Sequence, residues 1–134
     1  MSDFEQCFIK TPIGTAKIVG NKEGISEISV LNDEVRSTEP VPTVLLDCVN
    51  QLSEYFDGER QHFSIKLNPS GTDFQRTVWD ELLKIPFGKR TTYMKQTLNL
   101  GNEKAIRAVA SANGKNPIWI IIPCHRVVGT DGSL

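Results

Sequence analysis

An apolar run, Ile118-Trp119-Ile120-Ile121-Ile122, stops at Pro123 and is followed at once by Cys124-His125-Arg126-Val127. A run of that length bounded by proline predicts a short buried strand. A thiol is thereby delivered at the end of a buried element, with an imidazole beside it in sequence. Cysteine is a nucleophile only as thiolate, and a nearby histidine or a helix N-terminus lowers its pKa. The competing fate of any cysteine is an inert place in the core. Adjacent residues of an extended segment point to opposite faces, so sequence proximity alone does not put His125 against the sulfur.

The rest of the chain bounds what that thiol can belong to. With 134 residues, 39% of them hydrophobic and 23% charged, it is sized for one domain or two very small ones. No apolar run approaches the roughly 18 residues of a membrane span. Met1-Ser2-Asp3-Phe4-Glu5 lacks the basic start and apolar stretch of a signal peptide. The three cysteines, Cys7, Cys48 and Cys124, are far apart and odd in number, which favours a reducing cytoplasm over a disulfide framework. Two histidines and no CxxC pair argue against a structural zinc site. Residues 1–70 hold 6 Lys+Arg against 11 Asp+Glu, and residues 71–134 hold 9 against 5. The basic half suits a polyanion, although solvated surface alone produces such asymmetry.

Turn signals divide the chain. Phe4 to Val19 contains the turn Thr11-Pro12-Ile13-Gly14, and Ile25 to Val30 alternates apolar and polar after Asn21-Lys22-Glu23-Gly24, which predicts antiparallel strands. Asp33 to Pro42 reads as a loop. Val44, Leu45, Cys48, Val49, Leu52, Tyr55 and Phe56 recur at helical spacing up to Asp57-Gly58, with Cys48 as a buried, inert thiol. Phe63, Ile65 and Leu67 alternate as one more strand. Asn68-Pro69-Ser70-Gly71 marks a junction, giving domains 1–68 and 69–134. Thr72 or Asp73 caps a helix with Phe74, Val78, Leu82, Leu83 and Ile85 on one side. Thr91 or Thr92 caps a short helix to about Leu100, and after Gly101-Asn102 a second runs from Glu103 to about Ala112. Two short helices about a glycine turn are a weak helix-turn-helix signal. The second is rich in Ala105, Ala108, Ala110, Ser111 and Ala112, flanked by Arg107 and Lys115. Alanine favours helix, and small side chains also let a backbone approach another surface; both explanations stand.

Residues 71–133 resemble the active domain of the O6-alkylguanine-DNA alkyltransferase family. The matching blocks stand in the family's order: Gly71-Thr72-Asp73-Phe74-Gln75, Val78-Trp79, Ile85-Pro86-Phe87-Gly88, Thr92-Tyr93, Gly101-Asn102, Ala105-Ile106-Arg107-Ala108-Val109, Ala112-Asn113-Gly114, Asn116-Pro117, and Ile122 through Gly129 around the Pro-Cys-His-Arg-Val box. Residues 1–67 resemble the family's variable N-terminal domain in outline, most closely at Tyr55-Phe56-Asp57-Gly58-Glu59. The implied fold is α/β: a small sheet-plus-helix domain, then a mostly helical domain with a helix-turn-helix and the thiol loop. The implied activity is DNA repair by a monomer that binds duplex DNA through the minor groove. It flips an O6-alkylguanine out of the stack and takes the alkyl group irreversibly onto its own cysteine. No cofactor, metal or membrane is implied.

The resemblance also assigns residues. Cys124 is the alkyl acceptor, and His125 the base, relayed through a water. Tyr93 donates a hydrogen bond to N3 of the flipped guanine. Arg107 fills the gap in the base stack, offsetting part of the few kcal/mol that unstacking costs. Asn116 holds the turn and orients the site. Backbone carbonyls of Cys124 and Val127 read the exocyclic amine. Ala108 and Ser111 belong to the small face that enters the groove. Thr92, Lys104 and Lys115 are candidates for phosphate contacts, which position without specifying. Arg126 reads as structural.

One departure sets a further expectation. The family continues with a glycine-rich loop and a last helix carrying a glutamate that hydrogen-bonds the histidine, whereas this sequence ends at Asp131-Gly132-Ser133-Leu134. An imidazole without its orienting anion is a poorer base, so the expectation is a truncated chain of reduced or absent transferase activity. The alternative function is a non-catalytic lesion-binding protein of the alkyltransferase-like kind. A cysteine-rich zinc domain, as in alkylation-sensing regulators, is not evident, and the Cys-His order does not match a cysteine hydrolase.

Overall fold

The computed structural model describes residues 4–31, 35–101 and 103–128. The chain separates into two compact units, Met1–Pro69 and Ser70–Leu134.

The first unit is built on an antiparallel meander of β1 (Glu5–Thr11), β2 (Gly14–Asn21) and β3 (Gly24–Leu31), in that order. Alternation puts Cys7, Ala16 and Ile18 on the buried side, and the register shift opposite Val19 and Gly20 lets both Ile25 and Ile28 of β3 join them. The β2–β3 turn closes through Asn21, whose Oδ1 accepts the Glu23 amide proton at 2.9 Å. Gly24 ends that turn at φ 134°, where a Cβ would lie 2.8 Å from the Lys66 carbonyl, so both conformation and space require glycine. A 3₁₀ turn, Thr43–Leu45, leads into α1 (Leu46–Phe56), and Leu45, Cys48 and Leu52 form its buried stripe. Val44, expected on that stripe, is exposed, because in the 3₁₀ turn its neighbour Leu45 takes the buried position. Gly58, at φ 79°, follows the Asp57 cap.

The alternation Phe63, Ile65, Leu67 does not become a strand. Leu67 forms a single parallel bridge to Ile25, through Ile25 N–H to Lys66 O (2.9 Å) and Asn68 N–H to Ile25 O (2.7 Å). Farther back, the buried Gln51 of α1 replaces a neighbouring strand. Its Oε1 accepts from the Ser64 amide at 2.9 Å, and its Nε2 donates to Ser64 Oγ at 3.2 Å. A helix side chain has satisfied the backbone that a ladder would otherwise hold.

In the second unit, Thr72 rather than Asp73 caps α2 (Asp73–Leu82). Thr72 Oγ1 accepts from Gln75 N, and Gln75 Oε1 accepts from Thr72 N, a full capping box. Gly71 just before it lies under Trp79, where a Cβ would come within 2.6 Å of the ring. The buried residues of α2 are Val78, Trp79 and Leu82, whereas Phe74 and Leu83, expected on the same side, are exposed. The Trp79 indole takes the core stripe and turns Phe74 and Leu83 outward. Thr92, rather than Thr91, caps α3 (Tyr93–Asn99), and both threonines form the two-residue strand β4. A 3₁₀ turn over Glu103–Ala105 precedes α4 (Ile106–Gly114). Trp79 Nε1 donates to the Ala112 carbonyl at 2.9 Å, tying α2 to α4. The buried amides of Gln96 and Asn113 exchange two hydrogen bonds, 3.1 and 2.8 Å, tying α3 to α4.

The apolar run Ile118–Ile122 is not a strand either. It is a coiled turn with Ile121 N–H bonded to Trp119 O (2.8 Å) and Ile122 N–H to Ile118 O (3.1 Å). Ile120 adopts φ 70°, a rare left-handed conformation for a β-branched residue. Periodicity cannot tell a buried strand from any other buried segment, because the hydrophobic driving force asks only that the side chains be covered. Here the backbone is satisfied by turns instead of a ladder. The extended pairing comes later, where β5 (Val127–Val128) runs parallel to β4. Asn102 and Gly129 of the family-like blocks, and residues 129–134 on which the truncation expectation rests, lie outside the described residues.

Candidate active site

Asn116 anchors the thiol turn from behind. Its Oδ1 accepts from Ile118 N at 2.9 Å, and its Nδ2 donates to the Ile122 carbonyl at 2.7 Å. One amide thus clamps both ends of the apolar turn. The Cys124 amide then donates to the same Ile122 carbonyl at 2.9 Å. Asparagine suits the position because one planar group carries both a donor and an acceptor.

Cys124 opens a 3₁₀ turn, Cys124–Arg126, and is partly exposed, whereas Cys7 and Cys48 are buried. Burial pushes the Cys48 thiol up to about 12, with the Cys7 sulfur adding to the shift, and burial raises Cys7 as well. These two are protonated and inert at neutral pH. His125 is exposed at the edge of the turn. Desolvation of the ring on its protein side, and then the Arg126 guanidinium, hold its pKa below the usual imidazole value. It is therefore neutral, with a nitrogen lone pair available, at physiological pH. No hydrogen bond joins the Cys124 sulfur to the His125 ring among the described residues.

Arg126 fastens the turn from the front. Its Nη1 donates to the Ile85 carbonyl at 2.6 Å, and its guanidinium lies 5.7 Å from the centre of the Phe87 ring. The Val127 amide donates to the Cys124 carbonyl, which keeps a second lone pair for another donor. Val127 and Val128 pair with Thr91 and Thr92, so the first residue of α3, the half-buried Tyr93, is brought to the thiol turn. Thr92 Oγ1 is engaged as the helix cap, accepting from Lys95 N at 3.1 Å.

The remaining candidates share one surface. Lys104, Arg107, Ala108, Ser111 and Lys115 are exposed on α4 and its flanks, while Val109, Ala112 and Asn113 are buried. The small residues therefore divide. Ala112 is small because Trp79 packs and hydrogen-bonds there. Ala108 and Ser111 leave a low outer face between the Arg107 and Lys115 side chains. Nothing in the sequence points to the Arg126–Ile85–Phe87 clamp, since 41 positions separate Arg126 from Ile85. The buried Gln96–Asn113 pair carries a weak signal, as two amides interrupting apolar faces. Among the described residues, no group of three His, Cys, Asp or Glu side chains converges to hold a metal. No helix of those residues is long and apolar enough to cross a membrane.

Comparison with known proteins places this arrangement. Residues 6–69 match the 6-O-methylguanine DNA methyltransferase ribonuclease-like domain, and residues 73–134 match the DNA binding domain of the same proteins. A methylated-DNA–protein-cysteine methyltransferase of Methanosarcina barkeri is 41% identical over 131 residues, covering 94% of this chain and 83% of the relative. The chain belongs to the methylated-DNA–protein-cysteine methyltransferase family. The solved structure of the Mycobacterium tuberculosis O6-methylguanine methyltransferase superposes with a TM-score of 0.87 at 37% identity, covering 98% of this chain and 82% of that one. The Mycobacterium tuberculosis OGT structure in complex with DNA superposes at 0.83 and 41% identity, covering 94% and 79%. As a methyltransferase-family fold, the chain combines a small antiparallel sheet with helices.

Proposed function

We propose that this chain repairs duplex DNA by transferring an alkyl (methyl) group from O6 of guanine to Cys124, once and irreversibly. The observation that carries the reading is the position of Cys124. It is the one thiol of three with an exposed face, and it sits at a turn braced by Asn116 and Arg126 beside Tyr93. Family membership supplies the reaction class.

In this reading the exposed α4 face enters the minor groove. The low surface of Ala108 and Ser111 admits the close approach, and Arg107 occupies the vacated stack. Lys104, Lys115 and the Thr92 region hold phosphates. Readout through an extruded base accounts for a lesion that is buried in an intact duplex. The helix-turn-helix then works from α3 and α4, in a groove other than the usual major one. The protein acts as a monomer.

At the site the neutral His125 takes the thiol proton through a water. The Cys124 sulfur attacks the alkyl carbon, a C–S bond forms, and the C–O6 bond breaks with its electron pair passing to the purine. Tyr93 donates a hydrogen bond to N3, which stabilises that charge, and the carbonyls of Cys124 and Val127 hold the exocyclic amine. The proton lost by the thiol ends on the restored guanine, which stays in the DNA strand. Nothing in a thioether is a leaving group at neutral pH, so each molecule reacts once.

Intact-protein mass after incubation with a duplex carrying one O6-methylguanine tests this. The expected result is one methyl in place of one hydrogen, mapped to Cys124 and absent in Cys124→Ala. Retained binding to the lesion without any mass gain would replace the proposal with the lesion-binding alternative.

A further inference from the structure

A second cationic surface lies in the same unit, away from the α4 face. A concavity of about 340 Å³ is walled by Glu81, Lys84, Lys89, Arg90, Lys95 and Asn99, with Ile85 and Pro86 as its apolar part. Four cations therefore face one carboxylate. Glu81 is engaged by Lys84 at 3.1 Å. Lys89, Arg90 and Lys95 are exposed and form no ion pair among the described residues.

Three such cations around one hollow raise the local positive potential and make it a favourable place for an anion. Thr91 also lines the hollow, and Tyr93 lies two residues farther on, at the start of α3. The hollow thus reaches within two residues, along the chain, of the tyrosine assigned to the flipped nucleotide. Lysine and arginine side chains over an apolar floor suit phosphate oxygens, which need point charges and forked donors more than shape. The extended array also suits a polyanion better than a single phosphate.

We propose that Lys89, Arg90 and Lys95 form a second phosphate-binding element, which grips the DNA backbone flanking the lesion. The inference rests on the proposed DNA reading. It adds a sequence-independent interaction that sets affinity and residence on the duplex without touching the chemistry.

The test is the salt dependence of binding to an undamaged duplex, which needs no transfer activity. Replacing Lys89, Arg90 and Lys95 together by glutamine lowers the log–log salt slope by about 0.9 for each phosphate no longer neutralised, so by about 1.8 to 2.7 for two or three phosphates. Arg107→Gln, measured alongside, reports on the α4 face. If Arg107→Gln leaves binding unchanged while the triple variant weakens it, the α4 reading fails and the hollow stands. If the wild type binds duplex and the triple variant keeps its slope, the proposal is overturned. The same holds if the triple variant loses only pyrophosphate binding, which would mark the hollow as a site for free phosphates. Three exposed side chains are replaced, and an unchanged thermal unfolding curve confirms that the variant is folded.

Discussion

The N-terminal unit hides its two cysteines and the C-terminal unit presents its one, and the contrast follows from how each satisfies its backbone. In the first unit Cys7 sits on the inner face of a regular three-stranded ladder and Cys48 on the buried stripe of α1, so both occupy ordinary core positions with their thiols pushed upward in pKa. In the second, side chains do much of that work. Asn116 clamps the apolar turn, Arg126 bonds the Ile85 carbonyl, and Trp79 reaches the Ala112 carbonyl. A ladder buries what it carries on its inner face. A turn stapled by individual side chains can hold a thiol at the surface in a fixed place. Exposure of the Cys124 thiol is a property of its support as much as of its place in the sequence.

The contrast is broken most completely by exchanging sulfur for oxygen. Cys124→Ser is expected to abolish transfer while changing stability by no more than about 0.5 kcal/mol, because the site is partly exposed. Cys48→Ser is expected to keep transfer and lose about 1–3 kcal/mol through a buried hydroxyl. Mass spectrometry and urea unfolding decide the pair, and transfer by Cys124→Ser would remove this thiol from the mechanism. Trp79→Ala strikes the side-chain support itself, with an expected loss of about 3–5 kcal/mol. An unfolding midpoint close to wild type would show that the α2–α4 tie is dispensable. Asn116→Ala should cost about 1–3 kcal/mol through unpaired groups and slow transfer more than it weakens DNA binding. Single-turnover rates beside binding isotherms separate those effects, and an unchanged rate would leave Asn116 with a purely structural part.

Proton linkage sharpens the contrast at smaller scale. His125 has a lowered pKa in the folded chain, so it stays neutral to below pH 6.5. The acid limb of the transfer rate is therefore expected below that value, and a limb above it would exclude His125 as the base. The buried thiols work in the opposite range. Their folded pKa values lie above the ordinary 9.0, so the stability they contribute is present below that pH. It is lost as pH rises beyond it, when the unfolded thiols ionise and bind fewer protons than the folded ones. Unfolding measured from pH 8 upward should show this decline, diminished in Cys48→Ala.

Much of the fold is legible in the sequence. The meander follows from Pro12-Ile13-Gly14 and Asn21 to Gly24, α1 from its apolar spacing, and the start of α2 from the Thr72-Asp73 pair, of which the structure uses Thr72. These signals are local, arising from φ preferences and hydrogen bonds within a few residues. The Pro-Cys-His-Arg-Val box, with its upstream blocks, is also sufficient to name the family.

Two segments defeat the same reasoning. Phe63 to Leu67 has the alternation of a strand, and Ile118 to Ile122 the hydrophobicity of one, yet Gln51 in the first case and Asn116 in the second take over the hydrogen bonding. Whether a segment pairs as a ladder depends on what lies beside it, and sequence spacing does not say which groups those will be. The same holds for the site. The sequence determined which residues are proposed to carry the chemistry: one thiol after a proline, its neighbouring imidazole, and a low helical face between two cations. Tertiary structure decided that Thr91 and Thr92, which lead into Tyr93, pair with Val127 and Val128 after the thiol turn, and that Arg126 locks the turn to Ile85. Residue types and spacings are one-dimensional and set local conformation. Convergence of distant groups is fixed only when the buried surfaces of the helices choose their partners.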